Sequence, residues 1–392
     1  MNALPAARLL RDQSLSAIAA GFVTVLVGFA SSAAIVFQAA QSLGATPAQI
    51  SSWMWALGLG MGATCLGLSL RWQMPVVTAW STPGAAMLVA SAAGVPMAEA
   101  IGGFVLSALL ITVAGFSGVF ERMLSRIPLS LASGMLAGVL LRFGLEAFGA
   151  ISAQPLLVLG MLAAYLAARR WWSRYAVILT LAAGIGIAAA SGLVHTAGLH
   201  LELARPVWTT PQLSVAAVLG IALPLFVVTM ASQNVPGVAV IRASGYPVPI
   251  SSAIGWTGAV NLLLAPFGAF ALNLAAITAA LCMGPQAHAD PARRYMAAAW
   301  AGAFYLLVGV FGAVVASLFA ALPQALVLAI AGIALLGTLG GSLAAALHDE
   351  HEREAALVTF LVTACGLSLA GIGSAFWGLV AGVIVRIALR RG

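Results

Sequence analysis

The chain has 392 residues, of which 62% are hydrophobic and only 7% charged, with a formal net charge of +7. Soluble domains carry about 25% charged residues, so this composition cannot cover a water-facing surface. It excludes a soluble enzyme and, given where the charges fall, a nucleic-acid-binding domain. A mean hydropathy of +1.07 agrees: the chain reads as an all-α polytopic membrane protein.

A helix needs about 20 apolar residues to cross a bilayer, and Leu15–Phe37 is the first such run. It is long and lacks an A-x-A-like site followed by a soluble domain, unlike a cleaved signal peptide. Ser31, Ser32 and Gln38 are its polar positions. Next comes "VVTAWSTPGAAML" (Val76–Leu88), which places Trp80, Ser81, Thr82, Pro83 and Gly84 inside an apolar region. Met74–Ala79 is β-branched and contains Pro75, which favours an extended path. Ser81 or Thr82 can then cap a helix whose first position Pro83 occupies without losing a hydrogen bond. Gly84–Ser91 would be a half-length helix starting in mid-membrane.

Further on, Glu99 opens the run Ala98–Val119. Arg142 and Glu146 lie four apart in Leu129–Phe148, the spacing of an ion pair on a helix surface. Ala176–Leu193 follows, and the polar stretch Ser191–Gln212 divides the chain nearly in half. In the second half, "VVTMASQNVPG" (Val227–Gly237) embeds Thr229, Ser232, Gln233 and Asn234 in an apolar span, where polar groups usually face the protein interior or a pathway. Phe267–Leu272 reads as extended, Asn273 as a cap, and Leu274–Met283 as a second half-helix stopped by Gly284-Pro285.

His348 and His351 in "HDEHERE" read as part of a solvated loop rather than a metal site. Cys65, Cys282 and Cys365 are an odd set in apolar segments, read as packing residues rather than a disulfide framework. No cofactor or metal is expected.

Every basic residue other than histidine is arginine. With about fourteen crossings and a cytoplasmic N-terminus, 15 of 17 fall inside, leaving Arg142 and Arg205 outside, as the positive-inside rule requires. Both termini should then be cytoplasmic.

The two halves share landmarks. "ASSAAIVFQAAQSLGATPAQISSW" (Ala30–Trp53) aligns with "ASQNVPGVAVIRASGYPVPISSAI" (Ala231–Ile254). "MPVVTAWSTPGAAMLVAS" (Met74–Ser91) falls opposite "APFGAFALNLAAITAALC" (Ala265–Cys282), and Pro75 on Pro266 places Thr82 on Asn273. An odd number of crossings per half inverts the second copy, so residues 1–200 and 201–392 are expected to form a seven-plus-seven inverted repeat. Its half-helices, spans 3 and 10, would point their N-termini at one gap near the midplane, where free N–H groups suit an anion.

"TAWSTPGAA", "TMASQNVPG", "AAITAA" and "GSAFWGLVAG" together resemble motifs of the BenE-type benzoate–proton symporters, from about Leu15 to Val385. The resemblance implies the architecture of uracil and sulfate transporters. Spans 1–4 and 8–11 would form a core domain, and spans 5–7 and 12–14 a gate domain. It implies import of benzoate or a similar aromatic carboxylate across the bacterial inner membrane. Its partners would be that anion, protons and the lipid bilayer, with a homodimer as candidate assembly. Nucleobase transporters of this architecture carry acidic residues on spans 8 and 10. Here Gln233, Asn234 and Asn273 stand in those regions, which suits an anion. The expected binding residues are Trp80, Ser81, Thr82, Gly84, Gln233, Asn234, Asn273, Phe270, Ser31 and Ser32, with Glu99 as the candidate proton site. A transporter of another small anion or a nucleobase-like substrate, or a passive anion channel, could use the same gap. An enzyme would want clustered aspartates, a metal set or a Ser–His arrangement, which the spans lack.

Overall fold

The structure is a computed structural model that describes residues 9, 11–91, 95–124, 128–172, 175–194, 203–311, 322–367, 369 and 374–389. Arg8, Arg126, Arg174, Arg390 and Arg391 lie outside the described residues.

The first half runs α1 (Leu15–Ser42), α2 (Pro47–Trp72), β1 (Thr78–Trp80), α3 (Thr82–Ser91), α4 (Met97–Phe116), the short α5 (Val119–Leu124), α6 (Leu129–Gly149), α7 (Pro155–Trp171) and α8 (Ala176–Ala190). The second half opens with α9 (Val215–Ala243) and α10 (Ile250–Leu264). It continues with β2 (Leu272–Leu274), α11 (Ile277–Met283), α12 (Tyr295–Val310), α13 (Gln324–Ala346), α14 (Arg353–Ala364) and α15 (Ser374–Leu389). Local sequence accounts for many boundaries. Ser14 caps α1 by accepting from Ala17 N–H, and Thr46 with Gln49 forms a capping box ahead of Pro47 on α2, satisfying amides that a helix start leaves open.

Five helices among the described residues are long and apolar enough to cross a membrane. Their outward faces carry exposed leucines such as Leu109, Leu145, Leu219 and Leu263, a surface suited to lipid rather than water. Helices approach closely where both partners are small. A Cβ on Gly58 of α2 would lie 2.5 Å from Gly309 Cα of α12, so the contact tolerates no side chain there. Such small-residue contacts stand in for the hydrophobic effect, which vanishes between helices in lipid.

The centre is a two-stranded break in the helical fabric. β1 and β2 pair antiparallel, with Thr78 opposite Leu274, Ala79 opposite Asn273 and Trp80 opposite Leu272. Extended backbone at this depth needs polar partners, and neighbouring helices supply them. Ser69 Oγ accepts from Val76 N–H at 3.1 Å and donates to its carbonyl at 3.0 Å. Cys65 Sγ accepts from Thr78 N–H at 3.1 Å. On β2, Asn234 Oδ1 accepts from Leu274 N–H at 3.0 Å, and Asn261 Oδ1 from Leu272 N–H at 3.4 Å.

The first extended segment falls where the sequence places it, but the second does not. Phe267–Leu272 is not the extended stretch, and Asn273 is not a cap. Pro266 sits in a helical turn (Ala265–Phe267) that prolongs α10, and the chain then reverses through Gly268 at φ +102. A Cβ on Gly268 would overlap the Trp53 ring, so only glycine fits. Ala271, at φ 47, completes the turn. Pro75 lies three residues before its strand and Pro266 six before its own, so aligning the prolines slips the halves by three positions. The strand pairing matches Asn273 with Ala79 rather than with Thr82.

Candidate functional site

A cavity of about 490 Å³ opens beside the strand pair, within the range of about 300–1,000 Å³ usual for small-molecule sites. One wall comes from Ser32 on α1, Trp80 at the end of β1, Thr82 and Pro83 on α3, Gln233 on α9 and the segment Ala275–Thr278 leading into α11. Tyr305 of α12 closes that side. The facing wall is built by α6 with Arg142 and Glu146, by Leu328 of α13, by the end of α14, and by Ser374 and Ala375 of α15. The lining is mainly apolar with a few polar groups converging on it.

Trp80 is held rigidly. Its Nε1–H donates to Ser32 Oγ at 2.9 Å, and Ser32 in turn donates to Gly28 O at 2.7 Å. Phe29 meets the indole edge-on at 4.9 Å. The ring is 4% exposed and forms a flat aromatic surface at the cavity wall.

Ser81 is fully buried and caps α3: its Oγ accepts from Gly84 N–H at 3.1 Å, and its carbonyl accepts from Ala85 N–H at 2.8 Å. Thr82, the alternative cap, instead lines the cavity. Pro83 has no N–H, so the α3 tip offers the cavity the Thr82 N–H alone. On the other side, Ala275 N–H goes to Val77 O at 2.9 Å, and the first α11 bond is Ala280 N–H to Ala276 O at 3.2 Å. The amides between those two have no acceptor within the helix. Ser81→Ala is therefore expected to cost about 1 kcal/mol through loss of a cap, lowering the thermal unfolding midpoint of the purified protein. Thr82→Ala should leave the midpoint unchanged.

The two adjacent amides of α9 part company. Residues Met230–Asn234 form a wide π turn, a feature that reorients side chains within a helix. Gln233 lines the cavity, whereas Asn234 is fully buried, accepting from β2 and donating to Met230 Sδ at 3.2 Å.

The remaining expected residues lie elsewhere. Asn273 is fully buried in β2; its Nδ2 donates to Ala271 O at 3.0 Å and its Oδ1 has no partner. Phe270 is buried behind the strands against Trp53 and Phe104, at ring distances of 5.7 and 5.9 Å. Gly84 is buried, and a Cβ there would press on Leu225. The side chain of Ser31 lies outside the described residues. Glu99 is outside the cavity lining and accepts from Ser214 Oγ, the residue that caps the start of α9. Cys365, read as a packing residue, is exposed, while Cys65 and Cys282 are buried.

Arg142, Glu146, Tyr305 and Thr278 were not among the expected binding residues. The i,i+4 spacing of Arg142 and Glu146 was legible, and the pair forms at 2.8 Å. Nothing in the spacing said that it would border this cavity.

Among solved structures, the transmembrane domain of the cyanobacterial bicarbonate transporter BicA aligns over 94% of this chain and 97% of its own at 14% identity, with a TM-score of 0.48. SLC26A9 aligns over 99% of this chain and 68% of its own at 12% identity, with a TM-score of 0.49. In sequence, the chain is 52% identical over 370 residues to the inner membrane protein YdcO of Escherichia coli K12, covering 94% of this chain and 95% of that one. It is 39% identical over 374 residues to the benzoate membrane transport protein of Acinetobacter baylyi, covering 95% of each. The family model described as BenE, benzoate membrane transport protein, matches residues 11–388. With that match across nearly its whole length, the chain belongs to the BenE family of membrane transport proteins, a family of transporters and not of enzymes.

Proposed function

We propose that the protein imports benzoate or a similar small aromatic carboxylate across the bacterial inner membrane by proton symport, with alternating access around the central cavity. The observation that carries this reading is the pairing, in one cavity, of the Trp80 ring with polar groups at Thr82, Gln233 and the Ala276–Thr278 backbone. The ring supplies a stacking surface, and the donors supply partners for a carboxylate. The named Acinetobacter relative acts on benzoate, which supports the substrate class.

The same reading takes the chain as fourteen spans in an inverted repeat, with α5 as a surface helix. Packing supports it, because contacts recur in exchanged pairs. α2 packs on α12 as α4 packs on α10, α7 on α8 as α14 on α15, and α6 on α13 at the centre. α1–α4 with α9–α12 would be the core domain, and α6–α8 with α13–α15 the gate. The cavity lies along that boundary.

Uptake of radiolabelled benzoate into proteoliposomes tests the function. Accumulation above the external concentration, driven by an inward proton gradient, is expected. Equilibration without accumulation would mean a passive anion channel, and no uptake of any aromatic acid would overturn the substrate. For orientation, single cysteines introduced in a Cys365-free background should label from outside at Thr209 and not at His351. The reverse pattern would invert the topology.

A further inference from the structure

Arg142 lies inside α6, and Glu146 is three residues before its C-terminal end. Arg142 is seven residues before the end of α6, about 10 Å along the helix axis. Ionisable side chains at such depth are costly and usually mark a pathway when they border a water-filled cavity. Both line the cavity, and with Tyr305 they are the ionisable groups in its described lining. The guanidinium engages Glu146 through Nε. Its side chain is 70% exposed and that of Glu146 36%, and among the described residues no other acceptor takes the remaining N–H donors of Arg142. The guanidinium is thus a charged fork with most of its donors open to the cavity.

Among the described residues, no other charged side chain lines the cavity. α6 packs against α13, α14, α9 and α15. α13 carries no ionisable side chain, and α14 carries Arg353 and Glu354 at its start. Arg386 of α15 is held by Glu352 at 2.7 Å, and Glu352 accepts from Ser130 Oγ at the opposite end of α6. Arg242 lies in the last turn of α9. Cys365 is the one neighbouring thiol, next to Gly366 at the cavity edge.

We propose that Arg142 completes the receptor for the substrate carboxylate, facing the donors at Thr82, Gln233 and Ala276–Thr278 across the cavity, and that Glu146 is the proton carrier, a mechanism that rests on the import reading above. In the empty site the pair is neutral. When a carboxylate takes the guanidinium, the Glu146 carboxylate loses its partner and two like charges share one cavity, which favours the protonated form of Glu146. Uptake of one proton from water onto Glu146 restores neutrality. On the other side the carboxylate leaves, Arg142 pairs again with Glu146, and the proton returns to water. The cycle moves one proton per carboxylate and no net charge.

The test uses proteoliposomes with radiolabelled benzoate, each variant matched to the unsubstituted protein by its thermal unfolding midpoint. The unsubstituted protein should accumulate benzoate under a pH gradient with no response to an imposed membrane potential. Glu146→Gln should keep benzoate–benzoate exchange but lose gradient-driven accumulation, and its affinity should stop varying with pH. Arg142→Gln should weaken binding about ten- to hundredfold, the loss of one charge-assisted contact. Arg142→Lys should fall between. If Arg142→Gln does not fold, weakened binding in folded Arg142→Lys carries the same result. Gradient-driven accumulation by folded Glu146→Gln, or unsubstituted affinity in folded Arg142→Gln and Arg142→Lys, overturns the proposal. No uptake by the unsubstituted protein overturns the import reading and this mechanism with it. Normal accumulation with indifferent variants overturns the mechanism alone.

Discussion

Ala276→Asp is expected to abolish benzoate uptake while the protein still inserts and folds. Ala276 is the residue that precedes α11, is 7% exposed and lines the cavity. A carboxylate at a helix start interacts favourably with the dipole, so the substitution suits α11 itself. It does not suit an anion in the cavity. Two like charges about 4 Å apart repel by about 4 kcal/mol at an effective dielectric of about 20, which is close to a thousandfold in affinity. Ala276→Asn has nearly the same shape without the charge and should retain measurable binding. Affinity can be read by titrating benzoate into the purified protein, with the unfolding midpoint as the check on folding. Unchanged affinity in the folded Asp variant would place the anion elsewhere.

The second large effect separates two neighbours on α9. Asn234→Leu should lower the unfolding midpoint and abolish transport, because Leu274 N–H is left in the interior without its Asn234 acceptor. An unsatisfied buried donor costs about 1–3 kcal/mol, and the strand it belongs to positions the Ala275–Thr278 wall of the cavity. Gln233→Ala should leave stability unchanged and weaken benzoate binding, since Gln233 faces the cavity. Thermal unfolding and ligand titration on both variants give the comparison. Equal loss of stability in the two would mean that the π turn does not divide their roles.

The membrane class, the interruption at Val76–Trp80, the start of α3 and the Arg142–Glu146 pair were all legible in the sequence, and each for a local reason. Apolar length, a Ser cap beside Pro83 and an i,i+4 spacing act within a few residues, where chain geometry alone sets the outcome. Tertiary structure decided the rest. Asn273 reads as a cap because Asn caps helices, yet it pairs with Ala79 because the turn through Gly268 and Ala271 delays the strand. Gln233 and Asn234 are indistinguishable by composition, and a π turn plus the needs of Leu274 N–H send one to the cavity and the other to the strand. Arg142 faces the strand-pair wall across the cavity only because α6 packs along the core from some sixty positions further down the chain. Register between distant segments is set by which buried N–H and C=O groups must find partners, and no pattern within one helix records that.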